Sequence, residues 1–494
     1  MNYISTRNSS AEGVSSAFAI KNGLAHDGGL YMPERIPEIS LSDIERLASL
    51  SYCERCAEIL SLFLEDYTYD ELLEDAKGAY AEEKFGKNPT PITKLDDSTY
   101  MLELWHGPTS AFKDMALQLM PRLFVRALKK CGEEREALIL VATSGDTGKA
   151  ALEGYRNVKG TKIKVFYPTD GVSSVQKMQM QSQSGDNVSV TGINGNFDDA
   201  QNGVKAIFSD AKINDELNSS GVFLSSANSI NWGRLVPQIV YYVSAYCDLL
   251  ANGEIALGEE IDVCVPTGNF GNIFAAYIAK KMGVPYGKLV CASNKNKVLC
   301  DFLRTGEYDK NREFYKTNSP SMDILISSNL ERLLYLTLGS EKCREYMTKL
   351  AAEGKYTVSS DDMKLINESF IGYYADEENV LKTIKSTYEN KNCLIDTHTA
   401  VALYCTDAYI RDYKAERKIV AVSTASPYKF ASDVLYALKG SYSQDDFSAL
   451  DELMQLTKVQ IPYPLQNIDK RDILHKAVID KNCMARATIE FAKA

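Results

Sequence analysis

From Thr99 onward the chain repeats one pattern: a short apolar run, a loop, then a stretch with apolar residues at helical spacing. Met101 to Leu104 leads through His106-Gly107-Pro108 toward a helix near 110–130. Ala137 to Val141 leads through Thr143-Ser144-Gly145-Asp146-Thr147-Gly148 toward a helix near 149–157. Lys162–Tyr167 reads as a strand, and Val188–Thr191 as another before a helix at 197–210. Ile261 to Val265 runs into Gly268-Asn269-Phe270-Gly271-Asn272, which opens a helix at 273–282. Lys288–Ala292 and Lys418–Ser423 read as further strands. Strands alternating with helices pair in parallel and are covered by helices on both faces, so the chain is expected to be α/β.

At 494 residues the chain is too long for one simple core, and two or three domains are expected. Residues 1–92 read as an N-terminal unit. It has turns around Asp27-Gly28-Gly29-Leu30-Tyr31-Met32-Pro33 and helical patterns at 41–65 and 69–86. The linker Asn88-Pro89-Thr90-Pro91 closes it. The α/β region is expected over 93–430. A tail, 431–494, reads as helical and then irregular near Pro462 and Pro464. The net charge of −11 argues against a nucleic-acid partner held by phosphate attraction. Met1–Ser5 lacks the basic start and apolar core of a signal peptide, and Leu235–Leu250 is interrupted by Pro237 and Gln238, so no membrane span is expected. The 11 scattered cysteines suit reduced thiols in a cytoplasm. Cys53-x-x-Cys56 has no second pair, and only 4 histidines occur, so no metal is expected.

Three segments carry candidate chemistry, each with a plainer reading beside it. Lys113 follows a strand and a turn and falls at the start of a helix, with Phe112, Ala116, Leu119, Met120 and Leu123 around it. Most lysines are solvated surface charges. One that is desolvated, or set near a helix N-terminus, loses proton affinity and can attack an aldehyde or act as a base. The loop Gly268-Asn269-Phe270-Gly271-Asn272 can present free amides to an anion, its glycines allowing positive φ and close approach; it can equally be a tight turn capped by Asn. It is neither GxGxxG nor a Walker loop, so a dinucleotide or nucleoside triphosphate is disfavoured. Thr143, Ser144 and Thr147 could bind a carboxylate at a second helix start, although Asp146 would repel one unless it serves only as an N-cap. A buried lysine beside a phosphate loop points to a Schiff base with pyridoxal 5'-phosphate, and the second loop to the carboxylate of an amino-acid substrate.

Taken in order, these segments resemble the threonine synthase family, in its longer subgroup with an extra N-terminal domain. The resemblance spans nearly the whole chain. It rests on Asp27–Pro33, on His106-Gly107-Pro108-Thr109 through Phe112-Lys113-Asp114, and on Ser144–Gly148 and Gly268–Asn272. Asp396-Thr397-His398-Thr399-Ala400 and Ser423-Thr424-Ala425 complete it. It implies a fold-type II pyridoxal-phosphate enzyme of the tryptophan-synthase-β kind, with two open parallel-rich sheets and a mobile smaller subdomain at roughly 100–210. Lys113 would carry the cofactor, Gly268, Asn269, Phe270, Gly271 and Asn272 its phosphate, and Thr424 would face the pyridine nitrogen. The implied substrate is O-phospho-L-homoserine, turned with water into L-threonine and phosphate. Arg234, with Asn231 one turn earlier, is the candidate for the leaving phosphate; a surface arginine beside buried Trp232 is the plainer reading. A cytoplasmic monomer is expected. Two departures stand out: Ser426 replaces the usual histidine before Pro427, and Thr397 the usual proline before His398. Rival readings are a serine/threonine dehydratase or an O-phosphohomoserine lyase, and a non-catalytic cofactor-binding descendant.

Overall fold

Strands Ile261–Pro266 and Ile419–Ser423 are buried at every residue and lie side by side inside a six-stranded sheet. Strands apolar on both faces need cover on both faces, which the intervening helices supply. The computed structural model describes residues 1–10, 12–143, 145–170 and 172–494. The large sheet runs Phe370–Tyr374, Tyr286–Ser293, Ile261–Pro266, Ile419–Ser423, Thr99–Glu103, Ile92–Lys94. Every neighbouring pair is parallel except the last. A second, five-stranded sheet runs Val478–Asp480, Val188–Asn194, Thr161–Pro168, Glu136–Ala142, Val222–Ser225, parallel throughout. The chain is thus α/β with two parallel-rich sheets.

The N-terminal unit pairs Tyr3–Ser5 antiparallel with Tyr31–Pro33 and continues as helices. The helical run expected over 41–65 is two helices, Leu41–Ala48 and Tyr52–Phe63. Ser51 and Glu54 form a reciprocal capping box that starts the second, and Thr68 with Glu71 does the same for Tyr69–Ala79. The first two of these helices pack on Trp232–Ala251, a 20-residue helix buried along most of its surface. Among the described residues no helix is long and apolar enough to cross a membrane. The helix expected near 110–130 is also divided: Lys113–Leu117 ends, and Met120–Lys130 restarts with Pro121 in its first turn.

The tail departs from expectation. After helices Ala431–Lys439 and Asp446–Thr457 and short turns near Pro462 and Pro464, Val478–Asp480 becomes an edge strand of the smaller sheet. Helix Met484–Lys493 then packs on Phe197–Ser209 and Ala211–Ser219. The smaller sheet therefore draws on 136–225 and on the end of the chain, while Thr99–Glu103 belongs to the larger one. A contiguous smaller subdomain at roughly 100–210 does not describe it.

Candidate active site

The loops after Thr99–Glu103, Ile261–Pro266 and Ile419–Ser423 leave neighbouring strands of the large sheet at their carboxyl ends, where open α/β sheets bind ligands. Two of them are stitched together. Leu104 N donates to Ser423 O at 3.0 Å, Phe112 N to Thr424 O at 2.8 Å and Ser426 N to Ser110 O at 3.1 Å. Ser110 sits at φ 59°, in the left-handed region, and this reversal turns the chain into Lys113. Thr424, buried, thus fixes the lysine segment through its carbonyl.

The Lys113 side chain is only 10% exposed. Its Nζ lies 3.4 Å from Ser321 Oγ, 3.6 Å from Asp146 Oδ2 and 4.8 Å from the centre of the Phe112 ring. Burial pulls its proton affinity down, Asp146 opposes this, and Arg234 and Lys429 add to the lowering. Such an amine is poised to attack an aldehyde and to move protons.

Asp146 is no N-cap: that position is Gly145, which makes no side-chain cap bond. Instead Asp146 Oδ1 meets Lys429 Nζ and accepts from Gln176 Nε2, both at 2.7 Å. Burial pushes its carboxyl up, but Lys429 and Lys113 outweigh that and hold it well below the usual carboxylate range. The feared repulsion of an anion at this loop is therefore countered by the buried Lys429, which pairs with the Asp146 carboxylate. Thr143 Oγ1 accepts from Gly145 N at 3.0 Å and Gly148 N at 2.9 Å, so its hydroxyl staples the loop and is not free for a ligand. Thr147 is half-buried in the first helical turn and takes no part in that stapling. Ser144 lies outside the described residues.

The loop Gly268–Asn272 opens helix Gly271–Lys281, whose first amides have no intrahelical acceptor. The expected positive φ falls on Phe270, at 62°, with its buried ring 5.4 Å from that of Phe370. Gly268 instead allows close approach: a Cβ there would lie 2.9 Å from the Ser321 carbonyl oxygen. Asn329 donates both N and Nδ2 to Asn269 O at 3.0 Å, and Ser327 Oγ donates to Gly268 O at 2.7 Å. Asn272 Oδ1 accepts from the hydroxyls of Tyr241 and Tyr242, each at 2.6 Å. Its Nδ2 is buried with no partner among the described residues, and so is Ser110 Oγ. An unmet buried donor costs about 1–3 kcal/mol, which points to an acceptor the chain itself does not supply. A cradle of free amides, an orphaned amide donor and a buried amine of low proton affinity fit the phosphate and aldehyde of pyridoxal phosphate.

Arg234, in the first turn of Trp232–Ala251, is 6% exposed and donates from Nη1 to Ala227 O at 2.8 Å. It has no ion-pair partner among the described residues, and burial lowers its proton affinity only to about 10, so it stays charged at neutral pH. Asn231 does not join it as a ligand. Its Oδ1 caps Gly233 N and its Nδ2 donates to Ile20 O, both at 2.8 Å, so both ends are occupied.

Three contributors were missed by sequence reasoning. Ser321, in the turn Pro320–Met322, bridges Lys113 and Asp146, its hydroxyl 3.4 Å from each. Its backbone N donates to His398 Nε2 at 3.1 Å, and His398 Nδ1 faces Asp396 Oδ2 at 2.7 Å. This fixes the tautomer with the proton on Nδ1 and makes His398 a support for Ser321. Lys429 stands beside aromatic Tyr428 and Phe430 five residues after Thr424, a placement unusual for a surface lysine. Ser426, where the family's histidine would be, accepts from Tyr428 N at 3.3 Å and so caps the turn that carries Lys429. Arg332 is fully buried and donates to the carbonyls of Tyr31, Ser229 and Ile230 and to Asn329 Oδ1. It thereby joins the Asp27–Pro33 segment to the residue that holds Asn269. An arginine inside Leu330-Glu331-Arg332-Leu333-Leu334 was the available signal.

Comparison with known proteins agrees with this geometry. Residues 2–80 match the model of the threonine synthase N terminus, and residues 84–425 that of the pyridoxal-phosphate dependent enzymes. The threonine synthase of Saccharomyces cerevisiae is 34% identical over 95% of this chain and 96% of its own. Human threonine synthase-like 1 is 38% identical over 94% of this chain, and the chain spans 62% of that relative's length. The crystal structure of PLP-bound threonine synthase from Brucella melitensis, 35% identical, superposes with a TM-score of 0.88 over 100% of both chains.

Proposed function

The chain belongs to the threonine synthases among the pyridoxal-phosphate-dependent enzymes, and from that premise we propose that it converts O-phospho-L-homoserine and water into L-threonine and phosphate. The observation that carries this reading is the buried Lys113 amine, set where the loops meet, with the buried Arg234, which has no ion-pair partner among the described residues, near enough to lower its proton affinity. In this reading Gly268, Asn269, Phe270, Gly271 and Asn272 would hold the cofactor phosphate, and Thr424 would serve its pyridine nitrogen. Pyridoxal phosphate bound there supplies an electron sink for charge developing on the substrate carbons.

Lys113 Nζ is the group assigned to the cofactor's aldehyde. The same nitrogen, when free, would be the base placed to take the substrate's α-proton. It then moves protons at the β- and γ-carbons while the γ-phosphate leaves and water adds at the β-carbon. Arg234 holds the departing phosphate with a permanent charge in a site of low dielectric. Ser144, Thr147 and the amides of the 145–148 turn take the substrate carboxylate, with Thr143 stapling that turn and Asn231 aiming the Arg234 helix. The 11 free cysteines suit a reducing cytoplasm.

Product analysis tests the reading. Threonine and phosphate released in equal amounts from O-phospho-L-homoserine support it. Release of 2-oxobutyrate with phosphate, and no threonine, would place the chain with the lyases that share Lys113 and both anion cradles.

A further inference from the structure

Lys429 is wholly buried, and an isolated ammonium is costly to remove from water. It sits in the turn Pro427–Phe430 after the strand Ile419–Ser423. Its Nζ meets Asp146 Oδ1 at 2.7 Å, Gln179 Oε1 at 2.9 Å and Thr109 O at 3.1 Å. An ammonium has three protons, and these three acceptors use them all. Lys429 is therefore a saturated cation with no donor left for a substrate or cofactor. Its partners come from helix Asp146–Tyr155, helix Ser174–Gln181 and the turn that leads into Lys113.

We propose that Lys429 is a positioning residue that keeps Lys113 in its reactive amine form by occupying the carboxylate of Asp146. The two lysines share that carboxylate unequally: Lys429 holds Oδ1 at 2.7 Å, while Lys113 stands 3.6 Å from Oδ2. The proposal rests on the reading of Lys113 as the reacting amine. A buried carboxylate facing Lys113 alone would stabilise the ammonium and remove the nucleophile. Paired with Lys429, the same carboxylate orients Lys113 through Ser321 without fixing a proton on it.

The other groups around Lys113 act in the same direction or are neutral. Arg234, from helix Trp232–Ala251, disfavours the ammonium. Ser321 presents a hydroxyl, supported by His398 and, behind it, Asp396. Asp114, next in the chain, is turned away into the Thr109 amide and hydroxyl at 2.8 Å each. Asp146 is thus the one carboxylate among the described residues that opposes the amine form at contact distance, and Lys429 is its principal counter-charge.

The test reads Lys113 directly. Full-length protein freed of cofactor is trace-methylated with formaldehyde and cyanoborohydride at a series of pH values, and each lysine peptide is quantified by mass spectrometry. Only the unprotonated amine reacts. Lys429→Gln is expected to slow labelling of Lys113 at pH 7 about tenfold, the factor for a one-unit rise in proton affinity. Lys429→Arg keeps the charge and labels as the parent does. The double variant Lys429→Gln with Asp146→Asn removes both charges and restores fast labelling. In the holoenzyme the acid limb of kcat/KM moves upward in Lys429→Gln alone. A purely structural role would instead change Lys149 and Lys164 labelling together with Lys113.

A folded Lys429→Gln protein whose Lys113 profile matches the parent overturns the proposal. Should that variant fail to fold, the double variant decides, and slow labelling there overturns it. Labelling needs neither cofactor nor substrate. A Lys113 profile that moves as expected in a protein that makes no threonine would leave this inference standing and retire the proposed reaction.

Discussion

Asn272 gives its oxygen to two tyrosines and leaves its amide without a partner among the described residues. Asn272→Asp keeps both tyrosine bonds but replaces the free donor by an acceptor that repels phosphate. It is expected to weaken cofactor binding at least tenfold, for the loss of about 1.5–3 kcal/mol from a bond to a charged group. Absorbance titration with pyridoxal phosphate reads this, and unchanged affinity removes Asn272 from the cradle. Asp114 gives a second prediction. Burial raises its proton affinity to about 7, against the pull of the Thr109 amide and hydroxyl. The folded state therefore binds this proton more tightly than the unfolded chain. The resulting stability is full below an unfolded value of ~3.9 and is lost as pH rises through about 7. Asp114→Asn should flatten the pH dependence of Tm between those limits. An unaltered slope would show that Asp114 is not the group responsible.

Among elements, the strand-to-helix turns carry the chemistry, and Gly268 shows how tightly they are built. A methyl group there would stand 2.9 Å from the Ser321 carbonyl, a backbone atom that cannot swing away. Gly268→Ala should displace the Ser321 turn, costing about 1–3 kcal/mol of stability and a larger share of activity, since Ser321 also touches Lys113. Wild-type turnover in that variant would mean that the turn tolerates movement. The elements that position the site were legible where their signal was nearly continuous: Ile261–Pro266 is apolar but for Asp262, and Ile419–Ser423 but for its last residue. Val222–Ser225, four residues long, and Phe370–Tyr374, which contains Gly372, gave no comparable run. The helix breaks were written in the sequence as Ser51-x-x-Glu54 and Pro121, but amphipathic spacing runs across both. Lys113 and both loops were visible because their residue types are rare in combination. Lys429, Ser321 and Arg332 were not, because their meaning lies in partners 100 residues or more away.

For the whole molecule, the two ends of the chain brace different sheets. At the start, Arg7 grips Glu331 through Nε at 2.9 Å and Nη2 at 2.8 Å, while Arg332 holds Tyr31. The N-terminal unit is thereby fastened to the segment that supports Asn269. At the other end, Val478–Asp480 covers the edge of Val188–Asn194, and Met484 packs with Ile193, Val204 and Ile207. Deleting 475–494 should expose that strand edge and its apolar cover, lowering stability and promoting association. Hydrogen exchange would show the loss first in 161–194 and not in the large sheet. Uniform loss of protection would instead make the molecule a single cooperative unit.

Lys113 is the proposed point of attachment for the cofactor. The direct measurement is the absorbance spectrum of the purified protein before and after borohydride reduction, with peptide mapping of the reduced product. A visible band that reduction abolishes is expected, with a phosphopyridoxyl group fixed on the peptide containing Lys113. A group fixed on another lysine, Lys149 or Lys429 for instance, or no band even after pyridoxal phosphate is added, would contradict it.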